Sequence, residues 1–177
     1  MWDARNPRWL LAGFVVVAVG IQFFPAETTN PPEDPTQTIE ALTTMPAEIK
    51  TTLDNACMDC HSNRTRWPWY SKVAPVSWMV ADDVEHARGH YNLSEWGKLS
   101  PSEADRTLDE MCEEVEGGKM PLASYKWMHS EANLTESQVS ALCDWTREER
   151  GRIRAAADGE LPKDDSPKAD DGHDHEH

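Results

Sequence analysis

The stretch Cys57-Met58-Asp59-Cys60-His61 constrains this chain more than any other. Two thiols three residues apart, followed at once by an imidazole, have the spacing of a covalent haem c attachment site. Each thiol adds to a haem vinyl group, and the imidazole takes one axial position on the iron. Positions 57, 60 and 61 are related as i, i+3 and i+4, so on a continuous helix they share one face. A zinc site would need a second ligand pair at similar spacing, and the remaining cysteines, Cys112 and Cys143, stand far apart. A thioredoxin-like dithiol would need a preceding strand and a βαβ setting, and neither is visible. The motif therefore predicts one covalent haem c on Cys57, Cys60 and His61.

The N-terminus gives the motif an address. Trp9 to Phe24 is an apolar run whose one clearly polar member is Gln22, with Arg5 and Arg8 before it and Glu27 after it. It is somewhat shorter than the roughly 20 residues of a typical span. It is also longer than the usual signal-peptide core, and bulky Phe23, Phe24 and Pro25 stand where a small-residue cleavage site would lie. An uncleaved anchor over residues 1–25 is expected. The positive-inside rule then places Arg5 and Arg8 in the cytoplasm and everything after Phe24 on the periplasmic or extracytoplasmic side of the cytoplasmic membrane. Haem attachment to this motif takes place outside the cytoplasm, so address and motif agree. Such a compartment also permits disulfides, and the motif leaves the even pair Cys112 and Cys143.

Residues 26–44 contain Pro31, Pro32 and Pro35 among threonines and acids, and read as a semi-rigid spacer that lifts the domain off the membrane without folding. The domain itself is expected over 45–154. Its first helix begins near Pro46 and runs through the motif, with Ile49, Leu53, Ala56, Cys57 and Cys60 at helical spacing. Trp67, Trp69 and Tyr70, around Pro68, read as packing along the haem edge or closing the core. Arg64 and Arg66 are candidates for the propionates, although solvated arginines are the commoner outcome. Pro75 opens a second helix to about Arg88, which Gly89 is expected to end, leaving His86 and His90 as surface residues. Two capping boxes, Ser100 with Glu103 and Thr135 with Gln138, open two further helices. Cys112 and Cys143 lie on the apolar stripes of those helices. A bridge between them would stabilise the domain by roughly 3 to 4 kcal/mol through loop closure.

The tail, 155–177, has no core pattern and reads as disordered. Its His173, His175 and His177 suit weak divalent metal binding, with plain solvation the simpler alternative. The formal charge of −15 argues against nucleic acid.

The second axial position decides how a haem here is used. Met120 leads, because it follows the Gly117-Gly118 helix stop and precedes Pro121. His129 is the main competitor, while Met79, Met111 and Met128 read as core methionines. The run from Cys57 to Trp78, then Asn92 to Trp96, then Gly118-Lys119-Met120-Pro121-Leu122, resembles the haem-binding domain family of cytochrome c-like bacterial proteins. The likeness covers roughly residues 45–147. It implies an all-α, cytochrome c-like domain in which Cys57 and Cys60 carry the haem, His61 is the proximal ligand and Met120 the distal one. It names no reaction and does not extend to the Cys112–Cys143 bridge.

These readings lead to a membrane-anchored, single-haem electron carrier rather than an enzyme. Histidine–methionine ligation raises the potential and leaves no open iron position. Its partners would be the membrane and a redox protein, such as a respiratory oxidoreductase, whose docking face is basic. The rivals are a peroxidase-like enzyme or a gas or redox sensor with an open distal site, for which His129 and Arg88 are weak candidates, and a haem subunit fixed in a respiratory complex.

Overall fold

All the regular structure among residues 7–159, which the computed structural model describes, is helical. In chain order the α-helices are α1 (Pro7–Gly20), α2 (Ile39–Leu42), α3 (Ala47–Ala56), α4 (Met58–His61), α5 (Val76–His90), α6 (Pro101–Glu116), α7 (Ala123–Met128) and α8 (Glu136–Gly159). Short 3-10 turns lie at Ile21–Phe23, Trp69–Lys72, Leu93–Lys98 and Ser130–Ala132. Arg5 and the tail histidines His173, His175 and His177 lie outside the described residues.

Both capping boxes form. Ser100 Oγ accepts from the Glu103 N–H at 3.3 Å while Glu103 Oε2 accepts from the Ser100 N–H at 2.8 Å. Thr135 and Gln138 make the same exchange at 3.3 and 2.9 Å. The two helices so started, α6 and α8, pack along each other and bury Leu108, Met111 and Leu142 between them and the rest of the core. Cys112 and Cys143 are joined in a disulfide with Cα atoms 5.0 Å apart. On the outer side, Arg150 and Arg154 of α8 reach Asp105 of α6 at 3.2 and 2.9 Å. The start of α3 is fastened to α8 through Thr44, whose carbonyl accepts from Trp145 Nε1 at 3.0 Å and whose N–H donates to the buried Glu149 at 3.1 Å.

Four expectations are corrected. The segment 26–44 is not a free spacer, because it lies against the domain and itself contains α2. Asn30 donates to the Thr65 carbonyl at 2.9 Å, Asn63 donates to the Pro32 carbonyl at 3.2 Å, and Ile39 is completely buried. Gly89 does not stop α5, which continues to His90; an exposed glycine weakens a helix by only about 1 kcal/mol. The last helix runs on to Gly159, beyond the point where the core pattern ends. Finally, the first domain helix does not pass unbroken through the motif. It stops at Cys57 (φ −126°, ψ −42°), and α4 begins anew at Met58.

The N-terminal apolar run forms the 14 residues of α1 and then a single 3-10 turn. At 1.5 Å per residue α1 is about 21 Å long, short of the roughly 30 Å hydrocarbon core. Among the described residues no helix is long and apolar enough to cross a membrane.

Candidate functional site

The break at Cys57 divides the motif between two cavities. Cys57 and His61 line one of about 120 Å³, together with Tyr91, Met111, Val115 and Met120. Cys60 lines a second of about 490 Å³, walled by Tyr70, Val80, Val84, Tyr125 and His129 and rimmed by Trp69, Met79, Trp127 and Met128. Of the sequence-nominated residues, the structure therefore brings His61, Cys57 and Met120 to one cavity. It places Cys60 on the other side of the same short helix.

His61 is 6 % exposed and is oriented by backbone. Its Nδ1 lies 3.2 Å from the Tyr91 carbonyl, so the tautomer that satisfies both groups carries the proton on Nδ1 and leaves Nε2 as a lone-pair donor. Tyr91 also stacks on the imidazole, with ring centroids 4.1 Å apart. Burial holds the His61 pKa below its ordinary value, which favours the neutral, metal-binding form. Neither motif thiol is in a disulfide. Burial, with Cys60 nearby, pushes the Cys57 thiol up to about 12. Burial, with the Asp59 and Asp83 carboxylates, pushes Cys60 up to about 11.

The polar residues that follow the motif hold it in place. Ser62 and Asn63 are buried: Ser62 Oγ donates to the Met58 carbonyl at 2.6 Å, and the Asn63 side chain accepts from Asn92 at 2.8 Å. Arg88 spans from α5 to this turn, donating to the Ser62 carbonyl and to Thr65 Oγ1, both at 2.8 Å. That role replaces the distal arginine considered from sequence. Arg64 pairs with Glu40 at 3.0 Å and Arg66 with Asp59 at 3.0 Å, so both candidate propionate contacts are occupied by carboxylates of the chain.

Met120 sits on a turn built by α6. Gly117 caps the helix, Gly118 takes φ +69°, and the Lys119 and Met120 N–H groups both donate to the Glu114 carbonyl at 3.0 Å. A left-handed residue at this point is why glycine is needed there. Met111 is a core methionine, as the helical stripe predicts, but Met79 and Met128 are not; both are exposed at the rim of the larger cavity. Trp67 turns away from the cavities to donate to Asn30 at 3.1 Å, whereas Trp69 and Tyr70 line the larger one. His129 is in that larger cavity too, stacked on Tyr125 at 4.0 Å. The histidine that shares the cavity of His61 and Met120 is His90, paired with Glu110 at 3.3 Å. The sequence singled out neither Tyr91 nor Tyr125. Tyr91 acts through its backbone carbonyl, which has no side-chain signature. Tyr125 gave one faint signal, a polar-tipped aromatic five residues after Met120.

The donors present suit a flat apolar macrocycle attached at two points. Two reduced thiols open on two cavities, and an oriented imidazole and a thioether share one of them. Trp69 and Trp127, 74 % and 85 % exposed, leave around the larger cavity the kind of uncovered aromatic surface that marks a ligand site. Residues 16–148 match the sequence model of the haem-binding domain family. No curated protein and no solved structure matches the chain.

Proposed function

Because the chain belongs to the haem-binding domain family, we propose that it is a monohaem c-type cytochrome that transfers electrons outside the cytoplasm, with Cys57 and Cys60 as attachment residues and His61 and Met120 as axial ligands. The observation that carries this reading is the shared lining of one cavity by His61, Met120 and Cys57. At about 120 Å³ it is smaller than a usual ligand pocket, so one haem on both thiols requires it to open towards the larger cavity that Cys60 lines. When bound, a haem with histidine–methionine ligation supplies one-electron chemistry at a raised potential.

The chain's own residues prepare the site. Cys57 and Cys60 would hold the haem through thioether bonds, formed by addition of each S–H across a vinyl double bond, sulfur to one carbon and hydrogen to the other. No oxidant is consumed, and both thiols must be reduced, as Cys57 and Cys60 are. The Tyr91 carbonyl fixes the imidazole so that Nε2 is the free donor. The Met120 turn, fastened to Glu114, presents the thioether to the same cavity. Trp69, Trp127 and the α5 side chains Val76 and Val80 give the larger cavity an apolar lining against which a macrocycle could pack. With His61 and Met120 both on the iron, no position would be open to a substrate, which suits a carrier rather than a catalyst.

The apolar α1 is the proposed membrane attachment, with the haem domain on the periplasmic side; its side chains are unburied by the domain. A net charge of −15 suits a redox partner with a basic docking face. The close packing of 26–44 on the domain favours a haem subunit held in place beside a membrane oxidoreductase over one swinging on a tether.

Optical spectroscopy of the holoprotein beside its Met120→Ala variant tests the assignment. A methionine-to-ferric-iron charge-transfer band present in the wild type and lost in the variant is the expected result. A high-spin ferric spectrum in the wild type, with fast cyanide binding, would show an open distal position and overturn it.

A further inference from the structure

Met120 is held from two sides, and the second side runs through the attachment motif itself. Upstream, the N–H groups of Lys119 and Met120 tie the turn to Glu114 of α6. Downstream, Tyr125 of α7 donates its hydroxyl to Asp59 Oδ2 at 2.8 Å. Asp59 is the residue between Met58 and Cys60, and it is only 7 % exposed.

The acceptor is itself rigid. Asp59 Oδ1 takes the Arg66 backbone N–H and Nε, both at 3.0 Å, and Oδ2 takes Nη2 at 3.1 Å. A carboxylate so engaged cannot follow the tyrosine if the Met120 segment drifts. The donor's helix, by contrast, is weakly held. α7 has six residues, no side-chain cap and no buried member. Tyr125 stacks on His129, which lies at the end of the same short helix, so that contact does not fasten α7 to the motif.

We propose that Tyr125 is a positioning residue: its hydrogen bond to Asp59 fixes the Met120 segment to the helix that carries His61, and thereby keeps the Met120 thioether in place against competing ligands. The inference rests on the reading of His61 and Met120 as the axial pair. It accounts for a buried carboxylate within the motif, where a solvated residue would serve attachment equally well. Charge-assisted hydrogen bonds of this kind are among the stronger single contacts in a protein.

The test is an imidazole titration of the ferric holoprotein, followed through the methionine charge-transfer band, with thermal unfolding measured in parallel. Tyr125→Phe removes one oxygen and should bind imidazole about ten-fold tighter or more, at unchanged haem content. Thr38→Ala, which removes the N-cap of α2 far from Met120, should lower the unfolding temperature and leave imidazole affinity unchanged. Asp59→Asn removes the charge and leaves one acceptor oxygen to serve both Arg66 and the tyrosine, so it should gain imidazole affinity in the same direction as Tyr125→Phe. Wild-type imidazole affinity in Tyr125→Phe with the band intact would overturn the proposal. So would an equal gain in Thr38→Ala, which would make the effect one of general stability, or a large gain in Asp59→Asn alone, which would make it one of charge. A wild type that lacks the band altogether would instead defeat the Met120 assignment.

Discussion

Arg88→Ala should destabilise the protein by about 2 to 4 kcal/mol, an unusually large effect for a half-exposed residue of α5. The guanidinium donates to the Ser62 carbonyl at 2.8 Å, Thr65 Oγ1 at 2.8 Å, Asn30 Oδ1 at 2.9 Å and the Thr29 carbonyl at 3.3 Å. Thr29 and Asn30 are exposed, so water replaces the arginine there at little cost. Ser62 is completely buried and Thr65 nearly so, and the Ser62 carbonyl would be left without its donor. An unsatisfied buried acceptor costs about 1 to 3 kcal/mol, and the lost packing of the arginine stem adds about 1. With a urea m-value near 2 kcal/mol/M, the midpoint should fall by roughly 1 to 2 M at unchanged m. Protease cleavage within 26–38 should accelerate as well, because Asn30 loses one of its three anchors. Arg88→Lys, a single donor without the fork, should lie between the two. An Arg88→Ala unfolding free energy within about 0.5 kcal/mol of wild type would refute the idea that this side chain supports the turn after His61.

Replacing Cys112 and Cys143 together by serine should cost roughly 3 to 4 kcal/mol, from a closed loop whose ends are 31 residues apart, and calorimetry should show a drop near 10 °C. A loss under 1 kcal/mol would mean that α6 and α8 stay together in the unfolded chain. In the haem-free chain the motif thiols should alkylate slowly at neutral pH, and faster as pH rises towards 11 and 12, where burial has moved Cys60 and Cys57. The sign follows from the unfolded thiol losing its proton near 8.5. The folded state then holds the extra protons, so folding is favoured in full below pH 8.5 and progressively less above it. This alkaline loss should vanish once both sulfurs are thioethers. An alkylation inflection near 8.5 would show that the thiols are not buried.

What the sequence revealed and what it hid divide by distance along the chain. The capping boxes at Ser100 and Thr135 are three-residue exchanges, and both were legible. The C-x-x-C-H spacing, the Gly118 turn before Met120 and the apolar stripes of α6 and α8 are likewise local. The partners of His61, Asp59 and Asn30 are not: Tyr91, Tyr125 and Arg88 lie 30, 66 and 58 positions away. No periodicity encodes such pairs. The 26–44 segment was misread for the same reason. Its prolines argue against a long helix, but the segment turns at Asp34–Gln37 and forms α2. Whether such a strap floats or docks depends on acceptors such as Thr65 and donors such as Asn63, which only folding brings near. The break at Cys57 is subtler, since helical spacing continues through the motif while the backbone dihedrals at one residue do not.

The docked strap changes what the N-terminal helix does. The one clearly polar residue of the apolar run, Gln22, accepts from the Ala74 N–H and donates to the Ala74 carbonyl, each at 3.0 Å. Beside it Trp78 Nε1 donates to the Phe24 carbonyl at 2.8 Å, and Lys72 reaches Thr28 at 2.6 Å. A glutamine whose amide is satisfied by the domain ties the end of the N-terminal helical run to the domain at that point. On the proposed placement of α1 in the bilayer, the haem site is therefore mounted at a set height and orientation. A flexible tether gains partners by sampling a volume, and its effective concentration falls as the linker lengthens. A fixed mount gives up that range and gains alignment with one neighbour, which matters more for electron transfer within a lasting assembly than for shuttling between several. The contacts at Gln22, Asn30 and Arg88 are those of a mount.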